Sequence, residues 1–177
     1  MGASSPDDIT QTLASIHAES GASLLSLVQA SPVLLIFLRH FGCSFCRQAI
    51  SDIAGLRGEL DTRGVRPVFV HLGTPERAKP YFDYYGIGEV ERISDPDAAI
   101  YRDPLFALGR SNPLWQAMNP MVLAGWLKGT IFKHGIGPIR EDGHQMPGVF
   151  FFKDARIVRR FRYRTIADQP DYLKLVA

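Results

Sequence analysis

The fold is decided by Val33-Leu34-Leu35-Ile36-Phe37-Leu38-Arg39-His40-Phe41-Gly42-Cys43-Ser44-Phe45-Cys46-Arg47, a stretch that holds both cysteines of the chain. It opens with a short, continuous apolar run of strand-forming residues, which is typical of a buried strand. From Cys46 to Leu60 the apolar residues recur at helical spacing, which predicts a helix. The cysteines are therefore expected where a strand leads into a helix.

The spacing of the two cysteines indicates redox chemistry. In the first turn of a helix, residues i and i+3 have Cα atoms about 5 to 6 Å apart, which a disulfide can bridge. The first thiol would face the positive end of the helix dipole, which lowers a cysteine pKa from about 8.5 towards 7 or below. Thiolate is the nucleophile, so we expect Cys43 and Cys46 to be catalytic. Arg39, His40 and Arg47 could add positive charge that stabilises the thiolate.

Length and charge limit the other classes of function. A chain of 177 residues is long enough for one domain with a sizeable core. Its 20 basic and 18 acidic residues are nearly balanced, so no nucleic-acid partner is expected. No apolar run approaches membrane-spanning length, so no membrane partner is expected either. Met1-Gly2-Ala3-Ser4-Ser5-Pro6 does not have the pattern of a secretory signal, and a cysteine pair of this kind suits the reducing cytoplasm.

The order of the predicted elements indicates a single α/β domain over residues 1–177. Its parts are N-terminal helices in 1–30, a β-α-β-α part in 31–108, an insertion in 109–145, and a β-hairpin with a terminal helix in 146–177. The specific predictions are helices over 6–19, 22–29, 75–85, 98–108 and 120–128 and from 169, strands over 67–72 and around 93, and a hairpin of 149–152 with 156–163. The run Asp95-Pro96-Asp97 is interpreted as a cap for the helix that follows it, in preference to a pair of acid and base carboxylates.

The insertion is rich in aromatic and methionine side chains. These are Trp115, Met118, Met121, Trp126 and Phe132. They could line a groove, but such residues at this spacing are more often part of a core, so we interpret them as core residues.

Four segments carry a resemblance to a known family. They run from Phe37 to Arg47, from Ser94 to Asp97, from Ile100 to Arg102 and from Gln145 to Phe150. Together they resemble the peroxiredoxin-like branch of the alkyl hydroperoxide reductase/thiol-specific antioxidant (AhpC/TSA) family, over about residues 32–163. The resemblance implies a thioredoxin-like α/β fold with a central mixed sheet flanked by helices, an N-terminal helical extension and an insertion before the final hairpin.

The resemblance also implies roles for Met146 and Pro147. Thioredoxin-fold proteins have a cis-proline opposite the active cysteine, at the start of the strand that opens the last hairpin. Pro147 occupies that position and is expected to be the cis-proline. The backbone of Met146 would then face the cysteines and could hydrogen-bond an incoming substrate.

The chain lacks two groups with which peroxiredoxins activate a peroxide. Their Thr-x-x-Cys threonine would stand at Cys43 if Cys46 is aligned with the peroxidatic cysteine, or at His40 if Cys43 is. Pro147 stands where their arginine precedes the later strand. These departures favour dithiol exchange over a dedicated peroxidase.

The sequence thus predicts a thiol-dependent oxidoreductase that acts on disulfides or peroxides. Cys43, expected to be the more exposed thiol, would attack and Cys46 would resolve the product, although alignment with peroxiredoxins supports the reverse order. A thiol reductant of the thioredoxin or glutathione type would restore the dithiol, without a cofactor or a metal.

The alternative is a non-catalytic thioredoxin-fold binding or structural module whose cysteines are inert or bind a metal. A structural zinc site needs four ligands, and no second cysteine pair is present. The candidates to complete such a site are His40, His71, His134 and His144.

Overall fold

The computed structural model describes residues 6–127, 130–138 and 140–177. The start of the chain before Pro6 and the predicted end of the insertion helix at Lys128 lie outside these residues.

The centre of the molecule is a five-stranded mixed sheet. Its strands are β1 (Val33–Phe37), β2 (Arg66–His71), β3 (Glu91–Ser94), β4 (Gly148–Lys153) and β5 (Arg156–Arg162), arranged in the order β3-β2-β1-β4-β5. β1 pairs in parallel with β2, and β2 with β3, whereas β4 runs antiparallel to both β1 and β5. This arrangement confirms the predicted α/β class and the mixed sheet.

Helices cover both faces of the sheet. They are α1 (Pro6–Ser15), α2 (Leu24–Ala30), α3 (Ser44–Gly55), α4 (Arg57–Thr62), α5 (Pro75–Tyr84), α6 (Ala99–Arg102), α7 (Pro113–Ala117), α8 (Pro120–Leu127), α9 (Thr130–His134) and α10 (Tyr172–Leu175). Residues of α1, α2 and α6 join the core on one face, and residues of α3, α5, α8 and α10 join the core on the other.

β1 lies at the centre because its side chains alternate between these two cores. Val33, Leu35 and Phe37 point to one core, whereas Leu34 and Ile36 point to the other. A strand buried on both faces needs a continuous apolar sequence, and this strand has one. β1 therefore fixes the place at which the chain leaves the sheet towards the cysteines.

Four predicted helices are shorter than expected. The helix predicted over 6–19 ends at Ser15, and the helix predicted from 169 covers Tyr172–Leu175. The helix predicted from Cys46 to Leu60 breaks at Leu56, whose N–H donates to both Asp52 and Ile53 in a tightened turn after Gly55. The helix predicted over 98–108 ends at Arg102. The following Asp103 precedes Pro104 and has a ψ of 135°, as the steric demand of a proline on its predecessor requires.

The cap predicted for the run Asp95-Pro96-Asp97 is confirmed, and Asp95 is the residue that forms it. Its carboxylate accepts hydrogen bonds from the backbone N–H groups of Ala99 at 3.0 Å and Ile100 at 2.8 Å. These bonds satisfy donors at the start of α6 that have no partner within the helix.

The insertion forms three short helices, α7, α8 and α9, instead of the single predicted one. The core interpretation of its large side chains is wrong for Trp115, Met118, Met121 and Phe132, which are exposed. Sequence spacing fails here because the helices are short and pack on the rest of the domain through other residues, such as the buried Val122.

In the described ranges, no helix has the length and apolar character needed to cross a bilayer.

Tyr101 fastens the ends of two strands next to the cysteine loop. Its buried hydroxyl donates to the carbonyl oxygens of Leu38 and, at 3.0 Å, Val70. Burial raises the pKa of Tyr101 well above its ordinary value, so the hydroxyl remains a donor. This contact holds the first residue after β1 against β2.

We predict that Tyr101→Phe lowers the free energy of unfolding by about 1 to 2 kcal/mol, because the buried Leu38 carbonyl loses its hydroxyl donor and the Val70 carbonyl retains only the N–H of Leu38. Denaturant unfolding measures this change. Tyr84→Phe is the matched control, since Tyr84 is 80% exposed, and its unfolding curve should stay unchanged. Equal stability of the two variants would contradict the fastening role of Tyr101.

Candidate active site

The cysteines lie where β1 leads into α3, as the sequence predicts. Cys43 is the N-cap residue of α3 and has an extended backbone, with φ of −83° and ψ of 120°. Its N–H donates to the carbonyl of His40, and its own carbonyl accepts from the N–H of Arg47 at the first helical turn. Cys46 belongs to that first turn, so both sulfur atoms are held by the same few residues.

Both cysteines are free thiols, and both are buried. Cys43 is 6% exposed and Cys46 is 4% exposed, so the two thiols differ little in accessibility and Cys43 does not have the exposed position expected for it. The cause is a cover formed by residues 135–138 at the end of the insertion. The N–H of Gly137 in this cover donates to the carbonyl of Gly42 at 3.0 Å.

The two thiols differ in acidity. The pKa of Cys43 is lowered to about 6, chiefly because the Cys46 thiol donates a hydrogen bond to it. The charge of Arg39 and the N–H groups of Cys46 and Phe45 lower this pKa further, whereas burial raises it. The pKa of Cys46 is raised well above its ordinary value, because it is the donor of that hydrogen bond and is buried beside the Cys43 charge. At neutral pH, Cys43 is therefore the thiolate and Cys46 the thiol.

Arg39 is the cation that acts on both sulfur atoms. Its side chain is buried and donates to the carbonyl oxygens of Gln145, at 2.9 Å, and Gly143. Its backbone N–H donates to the Cys46 sulfur at 3.3 Å. Since both carbonyl acceptors are neutral, they orient the guanidinium without cancelling its charge.

His40 does not supply the positive charge expected from the sequence. Burial lowers its pKa to about 4, and the charges of Arg39 and Arg47 act in the same direction. The imidazole is therefore neutral at pH 7. Its Nδ1 atom is buried and has no hydrogen-bond partner among the described residues.

Arg47 binds backbone carbonyl groups on both sides of the cysteine pair in the sequence. It donates to the carbonyl oxygens of Phe41 at 2.6 Å and His134 at 2.9 Å, and its guanidinium lies 5.1 Å from the centre of the Tyr81 ring. It is not among the groups with the largest effect on the pKa of Cys43. Arg47 thus ties the end of α9 to the loop before the cysteines.

Met146 and Pro147 lie close to the cysteines, but the bond before Pro147 is not the cis bond that was expected. Met146 packs in the same apolar core as both cysteines, and its N–H is already bonded to the carbonyl of Gly109 at 3.0 Å. Pro147 lines a small void beside Cys46, together with Arg39. Within the described ranges every peptide bond is trans, so the predicted cis bond before Pro147 is wrong. The trans form is the intrinsically favoured one for a peptide bond to proline, and here Gly109 holds the preceding residue.

A cavity of about 160 Å³ opens against Cys43. Its apolar walls come from α3, from the insertion and from the segment after β5; the residues are Phe45, Ala117, Trp126, Ile136 and Ile166. Two nitrogen atoms of residues that line the cavity, His40 Nδ1 and Trp126 Nε1, are buried and have no hydrogen-bond partner among the described residues. A ligand with an apolar body and an oxygen atom fits this combination.

A larger, open groove of about 830 Å³ lies between α3, α8 and α9. Phe45 borders both spaces, but neither cysteine lines the groove. We therefore assign the chemistry to the smaller cavity. The sequence did not predict that residues of the insertion, such as Trp126, would line the cavity beside Cys43. The tryptophan and methionine content of the insertion was the feature of the sequence that could have indicated it.

The histidines considered as metal ligands have other partners or positions. His71 contacts Glu19 at 2.9 Å, and His134 contacts the Tyr85 hydroxyl at 3.1 Å. Among the described residues, no three His, Cys, Asp or Glu side chains come together as a metal-binding group.

Comparison with known proteins gives one family match. The sequence model of the family described as AhpC/TSA antioxidant enzyme matches residues 52–165. The matched region begins after Cys46, so it covers most of the fold but not the cysteine pair.

Two curated relatives are prostamide/prostaglandin F synthases. The protein from Salmo salar is 33% identical over 94 residues, which are 53% of this chain and 46% of the relative. The protein from Sus scrofa is 43% identical over 56 residues, which are 30% of this chain and 28% of the relative. The chain thus matches less than half the length of each relative.

Several solved structures that resemble this chain are peroxiredoxins. Peroxiredoxin 6 of Arenicola marina has a TM-score of 0.61 at 11% identity, covering 91% of this chain and 66% of its own. Peroxidoxin BcpB of Mycobacterium tuberculosis has a TM-score of 0.60 at 12% identity, covering 91% and 87%. Peroxiredoxin Q of Xanthomonas campestris has a TM-score of 0.58 at 15% identity, covering 86% and 81%. These similarities confirm the predicted thioredoxin-like, peroxiredoxin-type fold.

We predict that Gly42→Ala displaces the cover over the cysteines. A Cβ atom at Gly42 would lie 2.6 Å from the carbonyl oxygen of Gly137 and would also collide with that of Pro138. The free energy of unfolding should fall by about 1 to 3 kcal/mol, and maleimide should alkylate Cys43 severalfold faster.

The matched control is Gly55→Ala, because a Cβ at Gly55 meets no atom within 4 Å. Thermal unfolding and the alkylation rate are compared for both variants. An unchanged alkylation rate in a stable Gly42→Ala protein would show that residues 135–138 do not control access.

Proposed function

Because the chain belongs to the AhpC/TSA antioxidant enzyme family, we propose that it is a thiol-dependent oxidoreductase in which Cys43 attacks and Cys46 resolves. The substrate is a peroxide or a disulfide. The observation that carries this order of events is the opposite shift of the two pKa values, which makes Cys43 the nucleophile at neutral pH.

With a peroxide, the Cys43 thiolate attacks one oxygen of the O–O bond. The product is a sulfenic acid on Cys43, and the other oxygen leaves as an alcohol or water after taking a proton. The Cys46 sulfur then attacks the Cys43 sulfur and displaces water, which forms the disulfide. The substrate has gained two electrons and the protein has lost two.

With a disulfide, the same thiolate forms a mixed disulfide and releases the first thiol of the substrate. Cys46 then attacks the Cys43 sulfur, forms the Cys43–Cys46 disulfide and releases the second thiol. In either case an external thiol reductant supplies two electrons that convert the Cys43–Cys46 disulfide back to two thiols. This reductant is a dithiol of the thioredoxin type or two monothiols of the glutathione type.

Arg39 has the role of stabilising the thiolate, and it is the one of the three predicted basic residues that acts directly on Cys43. His40 and Arg47 are assigned other roles. The neutral His40 lines the cavity and can hydrogen-bond a substrate oxygen, whereas Arg47 holds the covering segment through His134. Met146 and Pro147 support the site by packing beside the two cysteines.

The cavity favours a substrate that carries an apolar group beside its reacting atoms. Its lining next to Cys43 is formed mainly by aromatic and aliphatic side chains from α3 and the insertion. Burying such a group contributes roughly 25 cal/mol for each Å² of apolar surface removed from water. We assign the reaction to the cytoplasm, where thiol reductants keep a pair of this kind reduced.

The alternative is a binding or structural module with two inert thiols. Inert buried cysteines have raised pKa values, because burial disfavours the thiolate. The lowered pKa of Cys43 runs against that expectation and favours the redox proposal.

We predict that Cys46→Ser traps a mixed disulfide on Cys43 after treatment with a small disulfide, and a sulfenic acid after treatment with a peroxide. Cys43→Ser should form much less of either adduct, because a serine hydroxyl is not ionised at neutral pH and burial still disfavours a thiolate on Cys46. Mass spectrometry of the two variants, with wild-type protein as control, identifies the adducts. A mixed disulfide on Cys46 in Cys43→Ser would reverse the order, and unreactive wild-type thiols would refute the proposal.

We predict that the rate of Cys43 oxidation rises with pH through about 6 and is level above neutral pH, because its thiolate forms in that range. Cys46→Ala removes the thiol donor and should shift the midpoint upward, towards the ordinary value of about 8.5. Cys46→Ser retains a donor and should shift it less. Single-turnover rates across pH test this, and equal midpoints for the two variants would exclude the hydrogen bond as the main cause.

A further inference from the structure

The outer edge of the sheet at β5 has no partner in the described residues. β5 is the last strand in the order β3-β2-β1-β4-β5, and its backbone hydrogen bonds within the described ranges go to β4 alone. Alternate N–H and C=O groups of an antiparallel strand point away from its neighbour, so they are free at this edge. With seven residues, β5 is also the longest strand of the sheet, whereas edge strands that only avoid pairing are commonly very short.

The charges of β5 have one sign. Four of its seven residues are arginines, and none is acidic. We call these four the basic edge; they are Arg156, Arg159, Arg160 and Arg162. All four are exposed, and none forms an ion pair with a carboxylate of the described residues. Since the whole chain has 20 basic and 18 acidic residues, the chain outside β5 has more acidic residues than basic ones.

The acidic residues next to β5 in the sequence do not neutralise the basic edge. The Asp168 carboxylate accepts a hydrogen bond from the backbone N–H of Arg164 at 2.7 Å, and Asp171 pairs with Lys174 at 3.1 Å. Asp154, in the turn between β4 and β5, forms no ion pair within the described part of the chain. The charge of the basic edge is therefore open to a partner.

The basic edge flanks both faces of the sheet. Arg159 donates to the carbonyl oxygen of Lys174 in α10, whose residues belong to the core on one face. Arg162 donates to the carbonyl oxygen of Phe106 at 2.8 Å and lies 6.0 Å from the centre of the Phe150 ring, both in the core on the opposite face. A bilayer or a nucleic-acid backbone would approach one face and meet only part of the basic edge. An extended peptide alongside β5 reaches both faces, because its side chains alternate.

We propose that β5 binds an acidic, extended segment of a protein partner, which adds to the sheet as a sixth strand. The backbone of this segment would pair with the free N–H and C=O groups of β5, while its Asp and Glu side chains would bind the basic edge. A second copy of the chain does not fit, because pairing two β5 strands would place arginines beside arginines. The choice of arginine supports an interface, since lysine is the usual residue that blocks an edge, whereas a guanidinium binds a carboxylate through two hydrogen bonds.

Fluorescence anisotropy tests the proposal with a fluorescein-labelled peptide, Glu-Glu-Thr-Val-Glu-Glu-Thr, whose glutamates lie on both faces of an extended chain. The reduced protein should bind this peptide, with an affinity that falls as salt is raised. The double variant Arg156→Glu/Arg160→Glu should weaken binding roughly tenfold or more, because like charges then face each other. Neither arginine bonds through its side chain to the described residues, so the variant loses no contact of this kind. A peptide with lysine in place of glutamate should bind the double variant and not the wild type.

Arg63→Glu/Arg66→Glu is the matched control, since both arginines are exposed and lie outside β5. This variant changes the net charge by the same amount, and its affinity for the acidic peptide should stay unchanged. The acidic peptide with every inner residue N-methylated keeps its charge but loses the N–H groups that a strand donates, so it should bind roughly tenfold more weakly. Far-UV circular dichroism checks that all variants are folded.

Four results would overturn the proposal. The first is the absence of binding to the acidic peptide, and the second is binding that Arg156→Glu/Arg160→Glu does not weaken. The third is equal binding of the N-methylated peptide, which would show attraction by charge without strand addition. The fourth is an oligothymidylate of equal charge that binds more tightly than the peptide and loses its affinity in the double variant, because the basic edge would then be a nucleic-acid site. None of these readouts depends on the redox activity.

Discussion

The contacts of the buried Arg39 hold the site together. Its backbone N–H meets the Cys46 sulfur at 3.3 Å, while its guanidinium binds the carbonyl oxygens of Gln145 at 2.9 Å and Gly143. The first contact joins the end of β1 to α3, and the others join it to the returning end of the insertion. A buried cation that lost these acceptors would be strongly destabilising. The segment after the insertion is therefore held close to the cysteines, and the positive charge stays beside them.

Two residues of the same type and similar burial acquire different reactivity through one hydrogen bond. Burial raises the pKa of both thiols, yet the bond donated by Cys46 outweighs burial at Cys43 and adds to it at Cys46. The charge of Arg39 lowers both pKa values, so it strengthens the thiolate without choosing between the sulfurs. The choice follows from position, since Cys43 is the N-cap residue and the N–H groups of the first turn face its sulfur.

The fold and the place of the cysteines could be predicted because they depend on local patterns. An apolar run buried on both faces, a helical period and a Cys-x-x-Cys spacing each act over a few residues. The burial of Cys43 and the trans bond before Pro147 depend instead on contacts with Gly137 and Gly109, which are distant in sequence. The exposure of Phe132 was missed for a related reason. Periodicity indicates that a helix has an apolar side, but it does not say whether another part of the chain covers that side.

The interactions that activate Cys43 also affect the stability of the disulfide. When the disulfide forms, the Cys46 thiol no longer donates to a thiolate, and Arg39 loses the negative charge beside it. The reduced pair is thus stabilised by contacts that the oxidised pair lacks, which raises the reduction potential of the couple and makes the disulfide easier to reduce. Since Cys46 lies one turn along the same helix, at a spacing that a disulfide can bridge, resolution takes place within that turn. A couple of this kind is suited to repeated exchange with an external thiol, in agreement with the absence of the threonine and arginine that peroxiredoxins devote to peroxide.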